Sequence, residues 1–168
     1  QQLRVLKKLL KKARFTEFGQ HYRFDEALLN RHPAKKFQEL VPVHDYNKIY
    51  EEWWKKTLDG VSDVAWPGKI KYYALSSGTS EAASKYIPVT REMLRSNTVN
   101  YLRQLLSLLS YQEANKRAIT KGFLMIGGAT DLKKGKAGWF AGDLSGILAK
   151  KRPFWFQSFY KPGGRIAR

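Results

Sequence analysis

Leu3, Leu6, Leu10 and Ala13 recur at helical spacing near the start of the chain, with Leu9 beside them. Lys7, Lys8, Lys11, Lys12 and Arg14 fill the other face. The pattern predicts a basic amphipathic helix that ends near Gly19, a residue type that commonly stops helices. Such a helix can lie on an anionic membrane, but the reading favoured here is an ordinary surface helix with one face buried. A short helical stretch follows over residues 25–30. Pro33 then opens another, to Leu40, because the first turn of a helix tolerates proline. Pro42 breaks the run. Asp45 is a good N-cap for a helix over residues 46–58, with Ile49, Trp53 and Trp54 on its buried side. Asp59-Gly60 ends it, and Trp66-Pro67-Gly68 reads as a turn.

The character changes at Lys69. Residues 70–75 (Ile-Lys-Tyr-Tyr-Ala-Leu) read as an aromatic-rich strand. It runs into Ser76-Ser77-Gly78-Thr79-Ser80, after which Lys85-Tyr86-Ile87-Pro88-Val89 is extended. Thr90 can cap a long helix over residues 91–113, whose broad apolar stripe includes Met93, Leu94, Tyr101, Leu102, Leu105, Leu106 and Leu109. Residues 122–127 have the pattern of a short buried strand. The remainder is rich in glycine and aromatics. The expectation is a mainly helical section over residues 1–68 and an α/β section over 69–168 that begins strand, hydroxyl-rich loop, helix, strand.

Composition places this pattern in a globular class: 168 residues, 43% apolar, with five Trp, nine Tyr and nine Phe. Cysteine is absent, which excludes disulfides and thiol chemistry and fits a reducing compartment. No stretch approaches the roughly 18 apolar residues of a membrane span. Gln1 and the closing Gly163-Gly164-Arg165-Ile166-Ala167-Arg168 are read as the ends of a piece of a longer protein. The formal charge of +17 points to a polyanion: nucleic acid, an anionic membrane or a phosphorylated ligand. Equally, acidic residues elsewhere in a longer protein would balance it.

The candidate chemistry lies after the first strand. Four hydroxyl residues flank one glycine in Ser76-Ser77-Gly78-Thr79-Ser80. Glycine lets the backbone approach a ligand closely, backbone N–H groups in such turns bind anions, and hydroxyls donate to phosphate oxygens. Lys85 can add a charge-assisted contact. On composition alone, a plain Ser/Thr/Gly turn is the commoner explanation. The loop is not a Walker loop, and neither a dinucleotide fingerprint nor a nucleophile elbow occurs. His21, His32 and His44 have no metal-pair spacing and read as surface or capping histidines. Asp143, among glycines, reads as a turn residue.

A longer series carries more information than the loop. Thr16-Glu17-Phe18-Gly19, Val41-Pro42-Val43-His44-Asp45-Tyr46, Trp66-Pro67-Gly68, residues 73–80 and Lys85-Tyr86-Ile87-Pro88-Val89-Thr90 occur in that order, followed by Gly142-Asp143-Leu144-Ser145-Gly146-Ile147. The series resembles the plant auxin-responsive acyl acid–amido synthetases and, more closely, their bacterial relatives. The resemblance spans nearly the whole chain. It implies the large domain of an adenylate-forming enzyme, in the superfamily of firefly luciferase and the acyl-CoA synthetases.

It also implies a two-step reaction in a cytoplasmic ligase. A carboxylic acid is first activated by ATP and Mg2+ as an acyl-adenylate; an amine, commonly an amino acid, then displaces AMP. By this resemblance Ser76, Ser77, Gly78, Thr79, Ser80 and Lys85 hold the triphosphate, Ser77 and Thr79 foremost. The helix from Arg91 would help line the acyl pocket. Adenine contacts, the protein ligand of the metal and the mobile C-terminal lid are expected beyond residue 168, so this chain alone should be inactive. One departure stands out: where the family often has a second glycine after the loop, this chain has Glu81-Ala82-Ala83-Ser84. Two rivals remain, a silent scaffold of the same fold and a basic binding module stacking bases on Phe154-Trp155-Phe156 after Lys150-Lys151-Arg152; no specific nucleic acid is expected.

Overall fold

The computed structural model describes residues 1–76, 84–111, 123–124, 131–151 and 160–161. Its chain forms two units, one of residues 1–70 with 136–139, the other of residues 71–135 with 140–168. Helices build the first and a mixed sheet with helices builds the second, so the fold is α/β.

In the first unit, α1 spans Gln2–Ala13 and buries Leu10 and Ala13. Leu10 is 2% exposed, a burial that contributes about 2 kcal/mol. The helix does not continue to Gly19. It stops at Ala13, and a separate helix α2, Glu17–His21, holds Gly19 within it. Thr16 makes the break. Its hydroxyl donates to the Ala13 carbonyl at 2.7 Å and accepts the Gly19 N–H at 3.1 Å, closing one helix and capping the next. Gly19 is needed for close approach: a Cβ there would run into the Ala13 carbonyl.

Two further helices, α3 at Phe24–Leu29 and α4 at Pro33–Leu40, pack on α1. Pro33 opens α4 as its position predicts. Asp45 caps α5, Tyr46–Ile49, accepting the Lys48 N–H at 2.8 Å. The predicted single helix over 46–58 is in fact interrupted. Tyr50–Trp54 forms a π-helical turn, in which the Lys55 N–H bonds to the Tyr50 carbonyl, before α6 at Lys55–Leu58. The extra residue shifts the helical phase, and Trp53 and Thr57 come out buried.

Trp53 completes an aromatic cluster with Phe18 (5.0 Å between centroids) and Tyr22 (5.9 Å). His44 belongs to it as well. Its side chain is 4% exposed, so it is neither a surface nor a capping histidine. Its Nε2 lies 3.0 Å from the Tyr22 hydroxyl and 3.5 Å from a Glu52 carboxylate oxygen. Burial and then the Glu52 charge push the Tyr22 hydroxyl above its ordinary range, with the Trp53 indole acting against them.

The second unit contains β1 at Tyr72–Ser76 and β2 at Lys85–Val89, followed by α7 at Arg91–Tyr111. Thr90 caps α7, accepting the Met93 N–H at 3.1 Å. Short strands β3 (Phe123–Leu124), β4 (Lys133–Lys134), β5 (Phe140–Gly142) and β6 (Tyr160–Lys161) follow, with α8 at Leu144–Lys150 after β5. The main sheet has the order β2-β1-β5-β4, and β3 pairs with β6 in a second. Pro88 sits in β2, at an edge of the described sheet, where a missing N–H is tolerated. Ala74, Val89 and Ile147 form the core, with Met93, Leu94 and Leu144 against it.

Helix α8 went unread in the sequence. Asp143 starts it: its carboxylate accepts the Ser145 N–H at 2.7 Å and the Ser145 hydroxyl at 2.6 Å. The Ser145 hydroxyl, then its backbone N–H, hold the Asp143 carboxyl below the usual carboxylate range.

Two outcomes follow for stability. Gly19→Ala should destabilise the protein by about 1–3 kcal/mol, since α1 and α2 must separate to admit the methyl group; an unchanged urea midpoint contradicts the packing described. Asp143→Ala should cost about 1 kcal/mol at neutral pH. Because the folded carboxyl titrates below its unfolded value, the capping contribution is present above about pH 4 and is lost as pH falls through the folded value. The gap in urea midpoint between wild type and variant should therefore close in acid, while Asp143→Asn should retain most of the cap at neutral pH.

Candidate functional site

The residues predicted to hold phosphate begin at the end of β1. Ser76 is the last residue of that strand and Lys85 the first of β2. The two strands pair antiparallel with Ser76 directly opposite Lys85, and Ala74 opposite Ile87. Directly opposed residues on an antiparallel pair have Cα atoms about 4.5–5.5 Å apart and share a face. The hydroxyl and the ammonium therefore belong to one face of one hairpin.

Strand alternation identifies that face. Tyr72, Ala74 and Ser76 are two apart, as are Val89, Ile87 and Lys85. Ala74, Ile87 and Val89 pack with Ile147 of α8 and with Met93 and Leu94 at the start of α7. Ser76 and Lys85 thus continue the helix-covered face to its end, where the apolar core gives way to an exposed Lys85 and a half-buried Ser76.

The neighbouring strand gives this end its direction. β1 and β5 run parallel, with Tyr72 opposite Phe140 and Ala74 opposite Gly142. Their carboxyl ends face the same way, β1 running two residues past the Ala74–Gly142 pair, and α8 starts immediately after β5. In open α/β sheets, ligands bind outside the carboxyl ends of parallel strands. Gly142 permits tight packing of this end: a Cβ there would sit 2.6 Å from Leu132 Cδ2 and 3.3 Å from the Asp131 carbonyl oxygen. Tyr72 and Phe140 stack at 5.9 Å across the pair, with the Lys151 ammonium 4.9 Å from the Tyr72 ring centroid.

Ser77, Gly78, Thr79 and Ser80, together with Glu81, Ala82 and Ala83, lie outside the described residues. So do Phe154, Trp155 and Phe156, on which the base-stacking rival rested. Among the described residues no group of three or more His, Cys, Asp or Glu side chains could hold a metal ion, and no helix is long and apolar enough to cross a membrane.

The other motifs of the resemblance do structural work in the first unit. Thr16 caps α2, Glu17 pairs with Lys56 at 2.7 Å, and Phe18 enters the aromatic cluster. His44 bonds Tyr22 and Asp45 caps α5. Gly68 gives its N–H to Asp63 at 2.8 Å, the main cause of a lowered Asp63 carboxyl. Sequence reasoning missed the contribution of β5 to the site. A three-residue strand that ends in glycine carries no strand periodicity; the one local signal was the N-cap Asp143, which marks the helix that follows it.

Comparison with known proteins identifies the family and the fold. The N-terminal domain of the GH3 family matches residues 1–164. Among curated proteins, sequence comparison finds no match. Solved structures share the fold, two of them acyl acid amido synthetases. The GH3.15 acyl acid amido synthetase superposes with a TM-score of 0.65 at 20% identity, covering 88% of this chain and 25% of that one. The AtGH3.15 acyl acid amido synthetase in complex with 2,4-DB gives 0.65 at 20% identity, covering 87% and 24%. The chain therefore spans about a quarter of the length of these relatives. With nearly all of its residues inside the family match, the chain belongs to the GH3 family and carries its N-terminal domain.

Proposed function

We propose that this chain supplies the triphosphate-binding hairpin of an ATP-dependent acid–amido synthetase. The observation that carries the reading is the pairing of Ser76 with Lys85 at the carboxyl end of β1, beside the parallel strand β5. It brings a hydroxyl and an ammonium to the two ends of the segment that contains Ser77, Gly78, Thr79 and Ser80. Solved structures that share the fold are named as acyl acid amido synthetases, one of them bound to 2,4-DB. The proposed substrates are accordingly ATP, a small carboxylic acid and an amine such as an amino acid.

The chemistry follows from charge. ATP supplies the activated phosphorus: a carboxylate oxygen bonds to the α-phosphorus, the bond to pyrophosphate breaks, and the amine nitrogen later displaces AMP from the acyl carbon. Lys85 neutralises charge on the departing pyrophosphate. Ser76, Ser77, Thr79 and Ser80 donate hydroxyl hydrogen bonds to its oxygens, and Gly78 admits the backbone N–H groups. Mg2+ would add its charge to the same oxygens, with its protein ligand outside the described residues. Glu81 must turn away from the phosphates for the segment to bind them. The rest of the family's length would supply the nucleoside pocket and the lid.

Hydroxylamine intercepts an activated acyl group, so hydroxamate formation by the whole protein with ATP, Mg2+ and a panel of carboxylic acids tests the reading. Wild type should form hydroxamate and AMP with at least one acid. Lys85→Ala and Thr79→Ala should each lower the rate about ten- to a hundredfold, without a change in thermal unfolding. Full activity in both variants removes the hairpin from the chemistry.

A further inference from the structure

The charge of the first unit is concentrated on one helix. Residues 1–12 hold five Lys and Arg and no Asp or Glu, whereas residues 13–70 hold nine Lys and Arg and nine Asp and Glu. Among the described residues, five of the nine Lys and Arg of residues 13–70 form ion pairs. Arg14, Arg23, Lys36, Lys55 and Lys56 lie 3.6, 2.8, 3.6, 2.8 and 2.7 Å from carboxylates. No carboxylate pairs with Arg4, Lys7, Lys8 or Lys11 among the described residues, and all four are exposed.

The same helix leaves apolar surface in water. Leu10 and Ala13 are buried and Leu6 packs beside them. Val5 and Leu9, one turn apart, are 51% and 45% exposed, and Leu3 is 47% exposed. At 3.6 residues per turn, Val5 and Leu9 stand at the border between the buried stripe and the basic face, with Lys8 and Lys12 three positions after them. Apolar side chains at the margin of a basic face are the pattern of a helix lying in a bilayer interface, where the apolar groups enter the acyl boundary and the ammonium groups stay among the headgroups.

We infer that α1 is a docking surface for an anionic lipid bilayer, with Val5 and Leu9 entering the interface and Arg4, Lys8 and Lys11 meeting lipid phosphates. The helix keeps its buried stripe against α3 and α4 and offers the opposite edge to the membrane. Charge complementarity alone would suit any polyanion. Val5 and Leu9 favour lipid over a nucleic acid, whose phosphate backbone gains nothing from them, and suit the acyl boundary beneath anionic headgroups. Attachment through so few groups is weak and reversible, and salt screens it.

Sedimentation of the intact protein with phosphatidylcholine vesicles, with and without phosphatidylglycerol, tests the inference. The protein should pellet only with the anionic vesicles, and less as salt rises. Lys8→Gln with Lys11→Gln, and separately Val5→Gln with Leu9→Gln, should each lower partitioning about tenfold. Circular dichroism and thermal unfolding should stay unchanged, since all four side chains are exposed. No binding to anionic vesicles overturns the inference, as does binding that neither pair weakens. Loss with the lysine pair alone, together with equal competition by polyglutamate, overturns it in favour of a plain polyanion contact.

Discussion

Strand β1 makes two kinds of pairing at once, antiparallel to β2 and parallel to β5, and the geometry of the second unit depends on its register. Side chains alternate along a strand, so a slip of one residue exchanges its faces. Here the exchange would put Tyr73, which is 0% exposed, where Ala74 meets Ile147. A tyrosine in place of an alanine at a close helix–sheet contact overfills it. The size contrast between Tyr73 and Ala74 thus favours the observed register. Through it, Ser76 is fixed opposite Lys85. The proposed phosphate chemistry inherits its placement from a packing constraint two residues away.

The first unit achieves definition differently, through caps and aromatic contacts. Thr16 satisfies groups on both sides of a helix break, and Asp45 starts the next long helical run. Between them the Phe18, Tyr22, His44 and Trp53 rings pack together, with a polar contact from Tyr22 to His44 inside. Residues that resemble one family along the whole chain therefore fall into two groups. Those before residue 70 organise a scaffold, and those from Ser76 onward are candidates for chemistry. A motif series shared with enzymes does not make each of its members a ligand-binding residue.

The legible parts of the sequence were those governed by local rules. Pro33, Asp45 and Thr90 marked helix starts, and the structure has helices at all three. The α/β class followed from helices giving way to strands. What stayed hidden depended on contacts distant in sequence. Gly19 looked like a helix stop because glycine commonly is one; its actual role is the approach of α2 to the Ala13 carbonyl. The π turn at Tyr50–Trp54 adds one residue to a regular pattern, which periodicity averages away. His44 looked exposed because its partners, Tyr22 and Glu52, lie in other elements. At the candidate site, Ser76 and Lys85 are legible from the hydroxyl-rich loop and from the resemblance, but their opposition across a hairpin and the parallel strand beside them emerge only from the pairing.

The most direct test of the hairpin as a triphosphate site is isotope exchange between pyrophosphate and ATP, catalysed by the whole protein with Mg2+ and no amine. Exchange that requires a carboxylic acid would show reversible adenylation, as the Ser76–Lys85 arrangement predicts. Exchange absent with every acid, in a protein that still unfolds cooperatively, would contradict it and leave the hairpin as scaffold alone.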